Sequence, residues 1–166
     1  MTTDGAPREV DLTHLDGSGQ ANMVNVSQRE ITVRVATASA KVLLSTSVVA
    51  ALRDNSTPKG DVLATARIAG IMGAKKTSEL IPLCHPIALH EVRVDLAIED
   101  DGVTISTSVT TADRTGVEME ALTAAGIAAL TVIDMVKSAD PYAQISQIQM
   151  ESKDGGRNGA WKRQKR

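Results

Sequence analysis

Asp134 and Lys137 stand three residues apart at the end of the segment TGVEMEALTAAGIAALTVIDMVK, which carries no charge between Glu120 and Asp134. On a helix that spacing sets both groups at neighbouring points of one face. Spacing alone favours an exposed ion pair worth about 0.2 to 0.5 kcal/mol. The apolar stretch before them shifts the reading, because a lysine beside low-dielectric surface holds its proton less firmly and can serve as acid or base. Asp134 and Lys137 are therefore read as a proton-transfer couple.

Glu118 and Glu120 open the same segment, where carboxylates commonly complement the positive end of a helix. Glu120 and Asp134 would lie about 21 Å apart along a helix rising 1.5 Å per residue. One small ligand does not span that distance on a single helix, so a site using both is more simply built where two subunits meet. Residues 121 to 133 are apolar or small all round and need cover on two sides, a sheet on one and a partner subunit on the other.

Cys84 is the single cysteine and precedes His85, one of three histidines, in the proline-flanked run LIPLCHP. A metal role is disfavoured, since neither a second cysteine nor a suitably spaced histidine pair completes a tetrahedral set. His90 approaches His85 only if the loop folds back. A nucleophilic thiol would need base geometry that the dipeptide does not supply. Recognition fits better, with imidazole and backbone amides on a polar ring or phosphate. Lys59 precedes a helix expected from Gly60, where free amides favour an anion, although a solvated lysine with Asp61 as the cap fits the same residues. The pattern GxxxxGK[ST] is missing, so this is not a P-loop. Arg34, Arg114 and the stretch GGRNG supply further donors for a polyphosphate.

The elements that must position these groups are legible from periodicity. Ile31, Val33 and Val35 alternate with Thr32, Arg34 and Ala36 as in a half-buried strand, with Arg34 expected to point away from the apolar face. Residues 46 to 54 read as a short helix, 55 to 59 as a break, and 60 to about 76 as a longer helix. LIPLCHP cannot continue that helix. Val92, Val94 and Leu96, then Val103, Ile105 and Val109, flank Asp100, Asp101 and Gly102 as a hairpin. A helix over about 116 to 137 and a strand with Ile145 and Ile148 complete the order. Apart from the short helix it is β, α, β, β, α, β, which predicts an α+β, ferredoxin-like antiparallel sheet with helices on one face.

Composition narrows the class. A single domain over 1–166 is expected, with flexible termini over about 1–20 and 153–166. A chain of this size buries about 68 to 70% of its unfolded surface. Phe is absent and only Tyr142 and Trp161 are aromatic, which argues against the stacking platforms of single-stranded nucleic-acid binding. A net charge of -2 argues the same way. One cysteine holds neither a disulfide framework nor an iron-sulfur cluster. With no signal-peptide pattern and no run of 18 apolar residues, the expected setting is the cytoplasm, with no membrane partner.

From about His14 to Gly159 the chain resembles the molybdenum cofactor biosynthesis protein C family, the cyclic pyranopterin monophosphate synthases. The resemblance rests on KGDVLATARIAG, TSELIPLCHP, TGVEMEALTAA and the DMxK pattern at Asp134 to Lys137. It implies conversion of a cyclic dihydroguanosine triphosphate to cyclic pyranopterin monophosphate with release of diphosphate. It also implies ferredoxin-like subunits in a hexamer of three dimers, with the active site at the dimer interface. Carried over by residue, Asp134, Lys137 and Lys59 match catalytic positions. Leu83, Cys84, His85, Met119 and Glu120 match substrate-binding positions, and Glu118 and Arg34 match other site positions. Arg34 and Arg114 are candidates to neutralise phosphate charge. The chain departs from the family pattern at Asn25, usually aspartate, and at Val136, commonly cysteine. No cofactor is expected; phosphoryl chemistry often uses Mg²⁺, but no dedicated carboxylate cage is apparent. The rival reading is a non-catalytic nucleotide-binding regulatory module that uses the same cations.

Overall fold

The computed structural model describes residues 17–157 and 159–164. Most of the expected N-terminal arm, with His14 where the resemblance begins, lies outside the described residues. The elements are β1 (Thr32–Leu43), α1 (Thr46–Arg53), α2 (Val62–Lys75), α3 (Thr77–Leu80), β2 (Glu91–Glu99), β3 (Gly102–Asp113), α4 (Glu118–Val136), β4 (Gln144–Asp154) and β5 (Trp161–Lys162). The strands form one antiparallel sheet in the order β2-β3-β1-β4-β5. The hairpin expected at Asp100 and Asp101 joins β2 to β3, with Glu99 opposite Gly102.

The face of β1 is the reverse of the one expected. Ile31 and Val33 are 59% and 65% exposed, whereas Ala36, Ala38, Ala40 and Val42 are buried. Since side chains alternate along a strand, Arg34 belongs to the face of the alanines, the helix side. The larger residues at the start of the strand drew the reading to the wrong face. Alanine is what the buried face requires, because α4 packs on it with its own Ala121, Ala124, Ala125, Ala128 and Ala129. Thr107 of β3, also buried, donates its hydroxyl to the carbonyl of Ala121 at 2.9 Å and ties sheet to helix.

The odd spacing of Ile145 and Ile148 is resolved by a bulge. Ile145 lies opposite Val42 and Ile148 opposite Ala40, with a register shift between Lys41 and Val42. One extra residue restores parity and puts both isoleucines on the helix side.

The second cover of α4 comes from within the chain, where a partner subunit was expected. Gly70 and Gly73 of α2 bring the helices so close that an added Cβ would lie 2.9 Å from the Ala124 carbonyl oxygen and 2.8 Å from Ile127 Cγ1. Asp61 caps α2, the alternative given for this loop, accepting from the Ala64 amide at 2.9 Å. By length and composition α4 could cross a membrane, yet it is the core helix here. Leu130 remains 56% exposed.

The C-terminal stretch expected to be flexible from residue 153 is partly strand. Lys153 and Asp154 end β4, and Trp161 and Lys162 pair back on Lys153 and Ser152. The ladder's backbone bonds hold a sequence whose glycines and charges alone gave no strand signal.

Candidate active site

Helix α4 separates the chemistry-bearing residues into two groups. At its C-terminal end the Lys137 ammonium donates to Asp134 Oδ1 at 2.7 Å. Lys59 reaches across from the loop before α2, donating to the backbone carbonyl of Asp134 at 2.7 Å and standing 3.9 Å from Oδ2. The last carbonyls of a helix lack internal partners and carry its negative end, so two cations gather there for a physical reason. The Lys137 hydrogen bond and charge, with Lys59 behind it, hold the Asp134 carboxyl below its usual range. Asp134 is thus ionised and bracketed by two ammonium groups. Asp134 and Lys137 side chains are each 61% exposed. The low-dielectric wall expected beside them is therefore not formed within one chain.

The second group surrounds the N-terminal end of α4. A cleft of about 510 Å³ is lined by Leu83, Cys84 and His85 from the loop after α3 and by Glu118, Met119 and Glu120 from the first turn of α4. His85 Nε2 lies 2.8 Å from the Val24 carbonyl oxygen. A carbonyl only accepts, so Nε2 carries a hydrogen and Nδ1 is the nitrogen left for another partner. His90 does not join it; its Nδ1 accepts from the Ala112 amide at 3.3 Å.

Glu120 is the most perturbed group of this cleft. It is 4% exposed, and burial pushes its carboxyl up to about 7, opposed by its own backbone N–H and reinforced by the neighbouring Glu118 charge. A carboxyl near neutrality can both take and give a proton. Burial, then the Glu120 charge, raises the Cys84 thiol above its ordinary value. Cys84 is consequently a neutral thiol, a packing and weak donor group, and not an activated nucleophile.

Glu118 is paired with Lys153 of β4 at 3.2 Å. Arg34 commits Nε and one terminal nitrogen to the carbonyls of Asp113 and Arg114 at 3.0 and 3.1 Å. It lines a smaller adjoining cavity of about 190 Å³ together with Arg29, Lys153 and Arg157. Arg114 faces a different hollow beside His85, Asn25 and Pro86, with Nε donating to the Arg29 carbonyl at 3.1 Å. Arg29 and Lys153 were missed from sequence. Lys153 reads as a solvated tail residue, and only its place in β4 turns it toward Glu118. Arg29 precedes β1 in a turn with no periodic signal.

The profile of the MoaC family matches residues 23–156. The chain belongs to this family. It is similar to the cyclic pyranopterin monophosphate synthase of Streptomyces avermitilis, 56% identical over 161 residues that cover 97% of this chain and 95% of the relative. The synthase of Streptomyces griseus is 58% identical over 152 residues, 92% of this chain and 86% of that protein. Cyclic pyranopterin monophosphate synthase 2 of Mycobacterium tuberculosis is 49% identical over 156 residues, covering 94% and 93%.

Both departures from the MoaC pattern are accommodated. Asn25 Oδ1 accepts from the Ser27 amide at 2.9 Å, a turn contact that an aspartate oxygen makes equally. Val136 is buried in the core at 3% exposure, where a small apolar side chain and a cysteine serve alike.

Proposed function

We propose that this chain is a cyclic pyranopterin monophosphate synthase, acting in molybdenum cofactor biosynthesis on a cyclic dihydroguanosine triphosphate and releasing diphosphate. One observation carries the arrangement: α4 holds the Asp134 group at one end and the Glu120 cleft at the other. A rigid helix cannot bring its own ends together. The complete site is accordingly formed by two copies, the lysine-aspartate group of one facing the cleft of another. That closure would also supply the low-dielectric cover that Asp134 and Lys137 lack in one chain.

In this reading His85, Cys84 and the first turn of α4 hold the purine-derived ring. Lys137 and Asp134 move protons as that ring opens and recloses to a pterin, with Lys59 maintaining the charge balance. A sugar hydroxyl then forms a bond to the α-phosphorus, its proton passes to a base, and the bond to the departing diphosphate breaks. Arg29, Arg34, Lys153 and Arg157 supply positive charge where negative charge accumulates. Arg114 faces away from these cavities and is the weaker phosphate candidate. The order β2-β3-β1-β4, with β5 added at the edge, supports a ferredoxin-like fold, and in this reading the assembly is a hexamer of three dimers. The enzyme works in the cytoplasm as a single domain and takes no cofactor; chelator treatment should leave turnover unchanged.

The test is conversion of the cyclic dihydroguanosine triphosphate by the purified protein, read as diphosphate and pterin product. Asp134→Ala and Lys137→Ala should each lower kcat by about a hundredfold or more, with the fold of the chain retained because neither side chain belongs to its hydrophobic core. A folded wild-type protein that binds the triphosphate without turnover would replace this reading with a nucleotide-binding module.

A further inference from the structure

Beyond β4 the chain folds back as a strap across the start of β1. Gly155 and Gly156 turn with φ of 85° and 80°. A Cβ there would lie 2.2 Å from the Val33 carbonyl oxygen and 2.3 Å from Arg34 Nη1. Only glycine lets the backbone pass so close in that conformation. The Gly159 amide donates to the Gly156 carbonyl at 3.2 Å and closes the turn.

The far end of the strap is fastened. Trp161 and Lys162 pair with Lys153 and Ser152. The Arg163 amide donates to the Glu151 carbonyl at 2.8 Å, and its Nε donates to the Met150 carbonyl at 2.6 Å. Its guanidinium carbon lies 5.8 Å from the centre of the Trp161 ring, within cation-π reach.

Within that turn, ahead of the fastening, stands Arg157. It lines the 510 Å³ cleft, the adjoining 190 Å³ cavity and a third hollow of about 470 Å³ beside Gln28 and Thr32. Of the nearby cations, Arg34 is committed to two carbonyls, Arg114 to a third and Lys153 to Glu118, which leaves Arg29, lining the same three cavities, and Arg157 itself. Among the described residues, no hydrogen bond or ion pair holds the Arg157 guanidinium.

We propose that Arg157 grips a phosphate group of the triphosphate substrate, and that the strap fastened by Trp161 and Arg163 positions it to do so. This rests on the synthase reading for the identity of the substrate. The guanidinium fork matches two phosphate oxygens at once. An arginine on an unfastened tail would lose ordering entropy on binding, and the strap removes most of that cost beforehand. Arg157 is thus a binding residue; Trp161 and Arg163 are positioning residues that act through it.

Calorimetric titration with inorganic triphosphate tests this without requiring turnover. Arg157→Gln and Arg163→Ala should each weaken binding by about tenfold, and the double variant should bind no more weakly than Arg157→Gln alone, because the two act through one contact. In the turnover assay the same variants should raise KM with little change in kcat. Wild-type affinity in either single variant, additive losses in the double variant, or no triphosphate binding by the wild type would each overturn the strap. Failure of the wild type to form pterin product would instead overturn the synthase reading, leaving the strap to the titration.

Discussion

At the scale of single residues, Glu120 is where burial and chemistry conflict. Its carboxyl has been raised from an ordinary 4.5 to about 7, so the folded state holds its proton more tightly than the unfolded chain does. A raised acid costs nothing below the ordinary value; the cost grows between the two values and is complete above the folded one. Glu120→Gln removes that cost. The variant should gain about 2 kcal/mol over the wild type above about pH 7, a figure discounted for an edge open to the cleft, and gain nothing below about pH 4.5. Thermal midpoints across that range read the difference directly. No gain, or a loss, above about pH 7 would mean that a cation of a second copy already neutralises the carboxylate. Asp134 behaves in the opposite sense: its neighbours keep it ionised as pH falls, so the acid limb of the rate profile should follow a group other than Asp134.

At the scale of elements, the approach of α2 to α4 sets the geometry of both halves of the site. Lys59 reaches Asp134 from the loop that starts α2, and the cleft opens around the first turn of α4. Gly70→Ala tests how closely the helices must pack. The new methyl meets the Ala124 backbone oxygen at 2.9 Å, which cannot move like a flexible side chain. Overpacking of this kind costs about 1 to 3 kcal/mol, against about 1 kcal/mol gained from better helix propensity. A net loss of about 1 kcal/mol is expected, measured as a lower thermal midpoint at fixed protein concentration. Turnover should fall as well, since any shift of α2 carries Lys59 with it. A midpoint equal to or above the wild type would show that the helices can separate freely.

At the scale of the whole molecule, a site shared between copies makes a prediction that no site within one chain can make. Lys137→Ala and Glu120→Ala damage opposite ends of α4. Co-expressed in equal amounts, half of the dimers are mixed, and each mixed dimer has one site with both ends intact. Activity should recover to about a quarter of the wild-type value when neither variant alone is active. Recovery absent from verified mixed assemblies would place both groups in one copy's site.

Periodicity and punctuation alone determined much of this. Asp61 as a cap, the two-residue hairpin at Asp100 and Asp101, the uncharged course of α4 and the separation of Glu120 from Asp134 are local properties. They follow from residue types and helical rise, and the structure places them within a residue or two. Tertiary structure decided what local patterns cannot hold. The face of β1 was misread because exposed Ile31 and Val33 outweigh alanine in hydrophobicity, while the packed helix requires small residues on the other face. The second cover of α4 depended on two glycines of α2 whose role appears only when the helices meet. Arg29, Lys153 and Arg157 converge from a turn, a strand end and a returning strap, distant in sequence; charge acts through space, and only the folded chain sets those distances.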